Sequence, residues 1–328
     1  MAVHADLKLV EHGEDGIDLA FRADVLRGLS ECQKAVPARW LYDLAGSRLF
    51  EDITRLPEYY PTSAETRLLE AHSAEIGRLT GSGLAVVEFG SGSSAKTPLL
   101  LRELAAAAYV PVDISGEFLR ESTRALAKHF PELSIVPVEA DFLRPVRLPA
   151  TIEGQALLGF FPGSTIGNLV PHSAVDLLRS MRETLGGGSR LLIGVDRLKD
   201  VDRLVAAYDD REGVTAAFNL NLLHRINREL GGDIPVRQFR HIARWNEEWR
   251  RIEMHLEALR EMEFTVSGRL FAMRKGETIH TENSHKYSPD QVRLMLQAGG
   301  WTPVRLWSDP SHDFLLALAE ATEQRSAP

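Results

Sequence analysis

The chain has 328 residues, with 38 Lys and Arg against 46 Asp and Glu and a formal net charge of −8. That length can bury a large core in one or two domains, and an acidic balance without a basic run gives no footprint for nucleic acid. A single cysteine excludes an internal disulfide and fits a reducing compartment; no membrane-length apolar stretch and no signal core in residues 1–20 are seen, so a cytoplasmic protein with no membrane partner is expected, and it is taken to be a monomer.

Cys32 reads as a plain thiol. Eleven histidines are scattered, none in an i, i+4 pair beside an acid, so no metal site is expected. Residues 1–15 read as loosely attached, and 24–33 as a short helix. Residues 41–62 then gather Tyr42, Phe50, Tyr59 and Tyr60 in a chain with few aromatics. They suit either a packing cap over the core or an aromatic lid over a small-molecule pocket. Residues 63–79 read as a helix.

The most informative stretch follows. Ala85-Val86-Val87-Glu88-Phe89 is the apolar, β-branched run of a buried parallel strand. It breaks at Gly90 and Gly92, and residues 98–107 read as a helix. Strand, glycine loop and helix open a nucleotide-binding βαβ unit. Three ligands compete for such a loop. A dinucleotide would want its pyrophosphate at the helix N-terminus, and a nucleoside triphosphate would want Gly before Lys96-Thr97, where Ala95 stands. S-adenosylmethionine needs room and acids. A glycine turn with no ligand is the structural alternative.

Residues 108–113 read as a second strand ending in Asp113, at the distance from Gly90 where Rossmann-like folds place a carboxylate on a ribose; the alternative is a helix cap. Residues 117–129 read as a helix and 133–139 as a third strand ending in Asp141-Phe142. There the acid suits an exocyclic amine and the ring a purine face, which tilts the balance to S-adenosylmethionine over a dinucleotide. Residues 156–161 form a fourth strand running into Gly163 and Asn168, an amide that could grip an amine and a carboxylate or merely cap a turn. A helix over 173–185 and a fifth strand over 190–196 follow.

Near residue 198 the rhythm changes. Residues 201–208 and 214–230 read as helices, the segment through Trp245 and Trp249 is mixed, and 264–273 with 277–282 reads as a hairpin. Alternation puts Glu282 and Ser284 on one face of an extended segment, where a carboxylate and a hydroxyl could hold a two-nitrogen ring or form a solvated edge. A helix over 289–298 and strands over 302–307 and 314–319 close the chain.

Taken together, Tyr42-Asp43 with Gly46-Ser47 and Leu49-Phe50, residues 56–62, the glycine loop, residues 160–168, Ala207-Tyr208-Asp209, and Thr281-Glu282 with Ser284 resemble the L-histidine Nα-methyltransferases, which make trimethylhistidine (hercynine) for ergothioneine biosynthesis. The resemblance implies a Rossmann-like class I α/β fold with a seven-stranded sheet, residues 64–197 and 287–328, and a discontinuous α+β substrate domain, residues 8–63 and 198–286. It implies S-adenosylmethionine as cofactor, with S-adenosylhomocysteine as product, on Gly90, Lys96, Asp113, Asp141 and Phe142. It puts histidine on Tyr59, Asn168, Tyr208, Glu282 and Ser284, with Gly163 near the amine, Phe50 and Met254 lining the pocket, and Tyr42 beside Asn168 orienting the amine. No general base is assigned. Another free amino acid such as tryptophan is the alternative substrate.

Overall fold

The computed structural model describes residues 17–322. The expectation for residues 1–15 and the start of the 8–63 segment lie outside the described residues. The chain forms two units: Tyr60–Lys199 with the residues from Ser284 onward, and the residues up to Tyr59 with Asp200–Asn283. These breaks fall at 59/60, 199/200 and 283/284, where the sequence reading set them at 63/64, 197/198 and 286/287.

The first of these is a parallel sheet with helices on both faces. Ala85–Phe89 sits at its centre, parallel to Ala108–Asp113 on one side and to Leu157–Phe161 on the other. Leu157–Phe161 pairs in parallel with Arg190–Asp196. The final strand, Phe314–Ala321, lies antiparallel between Arg190–Asp196 and Trp301–Ser308. The sheet therefore reverses its order beside Ala85–Phe89, the point where ligands bind in open α/β sheets. This is the sheet expected of a class I methyltransferase.

Strand alternation builds two cores. Val87 and Phe89 face one way, with Val110, Phe161 and Leu178; Val86 faces the other, with Leu68, Leu69 and Leu100. Burying each such side chain contributes about 1.5–3 kcal/mol relative to exposure. Two local readings change. The expected strand over 133–139 splits into Ser134–Ile135 and Val138–Glu139, both pairing with Ala108–Asp113. Between them stands Pro137, which has no N–H to give the ladder. The helix expected to 107 is Thr97–Glu103, and Ala105 turns the chain with φ +43°.

In the other unit the sheet order is Lys34–Ala35, Thr278–His285, Arg251–Ala258, Phe239–Asn246. The last two are an antiparallel hairpin in the segment read as mixed. Their outer positions carry pairs such as Arg240–Glu257 at 2.9 Å, which blur the apolar alternation. The expected hairpin of 264–273 with 277–282 is also corrected. Met262–Val266 pairs with Arg269–Met273 through Ser267-Gly268, both at positive φ, the two-residue turn that suits strand twist. Thr278–His285 belongs to the four-stranded sheet instead. The first helix is Leu19–Gly28 rather than 24–33, because Asp18 Oδ1 accepts from Ala20 N and Phe21 N and starts it early. It stops where a side chain at Gly28 would collide with the Ala35 carbonyl at 1.8 Å.

Candidate active site

The glycine loop is shaped by a close approach. Gly90 has φ +69°, and a Cβ there would stand 3.3 Å from the Phe142 ring. That ring packs edge-on against Phe89 and Phe161, with centroids 6.4 and 5.7 Å away. Gly92 has φ +50° and nothing within 4 Å of its Cβ position, and its N–H donates to Asp113 Oδ2 at 2.9 Å. Ser115 N donates to Asp113 Oδ1 at 2.9 Å. Burial raises the Asp113 carboxyl against those backbone donors. Each oxygen keeps a second lone pair, so Asp113 can still accept from a ribose. Asp141 follows Ala140, whose N–H bonds Asp113 O at 3.0 Å. The loop, Asp113, Asp141 and Phe142 thus come together. Ser91 Oγ is buried there without a hydrogen-bond partner. An open glycine surface, an orphaned hydroxyl, a ribose-type acid and a half-buried aromatic ring fit S-adenosylmethionine.

Lys96 is joined by a residue the sequence reading missed. Glu65, on the Tyr60–Thr80 helix, is fully buried and forms an ion pair with Lys96. It also accepts Gly163 N at 2.9 Å, and Gly194 leaves room for it. The signal was its placement three and four residues before Leu68 and Leu69, on the buried stripe. Asn168 ends the turn Thr165–Asn168. Next to it, the Gly167 carbonyl is 2.8 Å from His285 Nδ1. One residue further on, Lys286 Nζ donates to Ser284 Oγ and to Asp196 Oδ2, both at 2.7 Å. Asp196 also accepts from Tyr60 OH at 2.7 Å and pairs with Lys199. Burial works to raise Asp196, and the two ammonium groups hold it below the usual carboxylate range. Burial lowers Lys199 to about 8 despite that acid.

In the other unit the aromatic cluster is a connected set. Tyr42 meets Phe50 and Phe218 edge-on, at 5.6 and 5.4 Å between centroids. Phe50 meets Tyr59 at 6.1 Å, and Tyr59 meets Tyr208 at 6.0 Å. Asp43 caps the Leu44–Ile53 helix through Gly46 N at 2.7 Å, with Tyr42 just before its start and Phe50 in its second half. Tyr42 OH donates to Glu282 Oε1 at 3.4 Å. Burial first, then the Glu282 charge, push the Tyr42 phenol well above its ordinary pKa, so it stays a donor. Glu282 is 8 % exposed and Ser284 3 %, and both lie on one face of their strand. Met254 is buried on the adjacent strand, its carbonyl accepting from Thr281 Oγ1 at 3.0 Å.

A second polar cluster lies on the same sheet. Glu253, His255 and His280 hold their ligand-type atoms within 4.8 Å of one another. Strand pairing, not helical spacing, assembles them. Arg251 Nη2 lies 2.7 Å and Arg244 Nε 3.4 Å from the Glu253 carboxylate, so its charge is already balanced.

Comparison with known proteins shows the family. Residues 21–321 match the family described as "Histidine-specific methyltransferase, SAM-dependent". The chain is 42 % identical over 313 residues to the histidine N-alpha-methyltransferase of Mycobacterium tuberculosis, covering 94 % of this chain and 97 % of that one. It is 41 % identical over 307 residues to the protein of the same name from Mycolicibacterium smegmatis, covering 92 % and 94 %. With ergothioneine biosynthesis protein 1 of Neurospora crassa it shares 31 % identity over 297 residues, 88 % of this chain and 33 % of that longer one. No helix among the described residues is long and apolar enough to cross a membrane. The chain belongs to the S-adenosylmethionine-dependent, histidine-specific methyltransferase family.

Proposed function

We propose that this protein transfers methyl groups from S-adenosylmethionine to the α-amine of L-histidine, three times in succession, forming hercynine for ergothioneine biosynthesis, as a cytoplasmic monomer. The observation that carries the reading is Glu282: a buried carboxylate, touched by the Tyr42 phenol, with Ser284 two residues on along the same strand face. Such a pair suits a five-membered ring with two nitrogens. Asn168 and Tyr208 are assigned to the carboxylate and amine end, Tyr59 to the ring, Gly163 to the neighbourhood of the amine, and Phe50 and Met254 to its walls. Gly90, Lys96, Asp113, Asp141 and Phe142 are assigned to the cofactor.

The cofactor supplies a methyl group already activated by positive sulfur. The amine nitrogen must reach it with a free lone pair, in line with the departing sulfur, so the protein's main task is orientation. The new C–N bond forms as the S–C bond breaks, and the amine proton leaves to solvent or to a neighbouring acceptor. An indole offers one donor and would leave half of the Glu282–Ser284 pair unmatched, which makes tryptophan the weaker reading.

Mass spectrometry of the purified protein with S-adenosylmethionine and a panel of free amino acids tests this. Histidine should gain three methyl groups through mono- and dimethyl intermediates. Methylation of another amino acid in preference to histidine would overturn the substrate, and a histidine product stopping at one methyl would overturn the trimethylation.

A further inference from the structure

Tyr208 stands just past the Val201–Ala206 helix, before the Val214–Leu230 helix begins. Its N–H is taken by the Val205 carbonyl at 2.9 Å, but carbonyls at a helix C-terminus have no partner within the helix. Asp210 serves the next helix, accepting from Val214 N at 2.9 Å and Thr215 N at 2.7 Å. The Tyr208 carbonyl is met from the Phe239–Asn246 strand, where His241 Nε2 lies 2.7 Å from it.

The partners of His241 fix its proton. A carbonyl oxygen only accepts, so Nε2 carries the hydrogen. The other ring nitrogen, Nδ1, lies 2.9 Å from Asn219 Nδ2, and the same Nδ2 donates to the His255 carbonyl at 3.2 Å. An amide oxygen turned into that place would face the His255 carbonyl, acceptor against acceptor. The amide nitrogen therefore points there, and Nδ1 of His241 accepts. Asn219 is fully buried and its own oxygen has no hydrogen-bond partner, so its side chain bonds through the nitrogen alone. Burial lowers the His241 pKa against the pull of the Tyr208 carbonyl, Asp209 and Asp210, in keeping with a ring held neutral.

We infer that His241 is a positioning residue: held as its Nε2–H tautomer by Asn219, it pins the Tyr208 backbone and so sets where the Tyr208 side chain meets the carboxylate and amine end of the substrate. The assignment rests on the proposed role of Tyr208. It asks for no contact between His241 and the substrate.

Two measurements test it. The first is nitrogen NMR of the imidazole rings in protein saturated with S-adenosylhomocysteine at pH 7.5, with the His241 signals identified by their loss in His241→Gln. The wild type should show a protonated Nε2 and a bare Nδ1. An Nδ1–H tautomer or an imidazolium would overturn the inference without any functional assay. The second is calorimetric titration of histidine into the same complex. His241→Phe removes the donor, and histidine binding should weaken about three- to tenfold, the range of one hydrogen bond. His241→Asn keeps a polar amide that falls short of the Tyr208 carbonyl and should weaken binding as much. His241→Gln reaches with an amide N–H where Nε2–H stood and should bind within about twofold of the wild type. Circular dichroism and affinity for S-adenosylhomocysteine report that each variant is folded.

In a Tyr208→Phe background, His241→Phe should add less than about twofold, because the histidine acts through that phenol. The full loss in that background would overturn the inference, and so would a His241→Gln protein as weak as His241→Asn. A Tyr208→Phe protein that binds histidine like the wild type would instead remove the reading of Tyr208, and the inference falls with it.

Discussion

Two buried glutamates, one in each unit, are pushed in opposite directions. Glu88 is the last residue but one of the central strand, before the glycine loop, and is 2 % exposed. Hydroxyls hold it: Thr97 Oγ1 at 2.6 Å and Tyr109 OH at 2.5 Å. Burial dominates those bonds and raises its carboxyl to about 7. Glu253 is 5 % exposed, and burial works to raise it too. Hydrogen bonds from Arg251, His255 and Asn246 overcome that and take it to about 2. Both side chains are nearly inaccessible to solvent, but Glu88 lies deeper than Glu253, so depth and donors act together. Neutral donors leave a buried acid ready to protonate, and a guanidinium fixes it as an anion. In the glycine-loop unit the acid ties Thr97, at the start of its helix, to Tyr109 on the neighbouring strand. In the other unit the ion pair braces a sheet that carries Glu282.

The largest test of that contrast asks whether the two units serve different ligands. Glu282→Ala should lower kcat/KM for histidine on the order of 10⁴-fold, because a site built to hydrogen-bond a ring loses its partner. Its affinity for S-adenosylhomocysteine should stay within about twofold. Asp113→Ala should do the reverse, weakening the cofactor product about 10- to 100-fold through lost charged hydrogen bonds. Steady-state rates and calorimetry on both variants read this directly. Equal loss of both ligands in Glu282→Ala would break the comparison.

Glu88 gives the next effect. Its folded pKa of about 7 lies above the unfolded value of 4.5, so the folded state binds the extra proton. Its contribution to stability is complete below about pH 4.5 and is lost as pH rises through 7. Glu88→Gln keeps an oxygen for Thr97 and Tyr109 and does not ionise. Relative to wild type it should gain up to about 3 kcal/mol between pH 4.5 and pH 8. Urea unfolding at the two pH values measures it, and a constant difference between the proteins would show that Glu88 does not titrate in this window.

The sequence disclosed the parts of this molecule that rest on local rules. A run of five buried residues, two glycines and an acid at the end of the next strand are short-range signals, and the sheet around them followed. Strand alternation put Glu282 and Ser284 on one face, and the fold adds that both are buried and that Tyr42 reaches Glu282. Glu65 was not, because its role depends on Lys96 and Gly163 converging from two other elements. Nothing in the sequence singled out Lys286, and only the fold brings it to Asp196. The Phe239–Asn246 and Arg251–Ala258 hairpin escaped because arginines and glutamates, not apolar residues, fill much of its outer face. The Ser267-Gly268 turn was hidden inside what reads as one continuous strand.

The smallest effect sharpens the contrast from the acid side. His255 is 1 % exposed and stacks on His280 with ring centroids 4.6 Å apart. Burial first, then His280, lower its pKa from 6.5 to about 4, against the pull of Glu253. The unfolded chain therefore binds the proton that the folded one refuses. Stability from this group is complete above about pH 6.5 and is lost as pH falls through 4, the opposite slope to Glu88. Between pH 6.5 and 4.5 it should amount to roughly 2 kcal/mol. His241 and His280 are shifted down as well, so His255→Gln should reduce the slope of stability against pH in that window by about one proton and not abolish it. The neutral-pH stability of the variant will also fall, through the lost stacking and hydrogen bonds, but that offset is constant with pH. Thermal unfolding followed at intervals across the window separates the two. A slope unchanged by the substitution would mean that Glu253 holds His255 charged, and that the ion pair, rather than a neutral stack, braces this sheet.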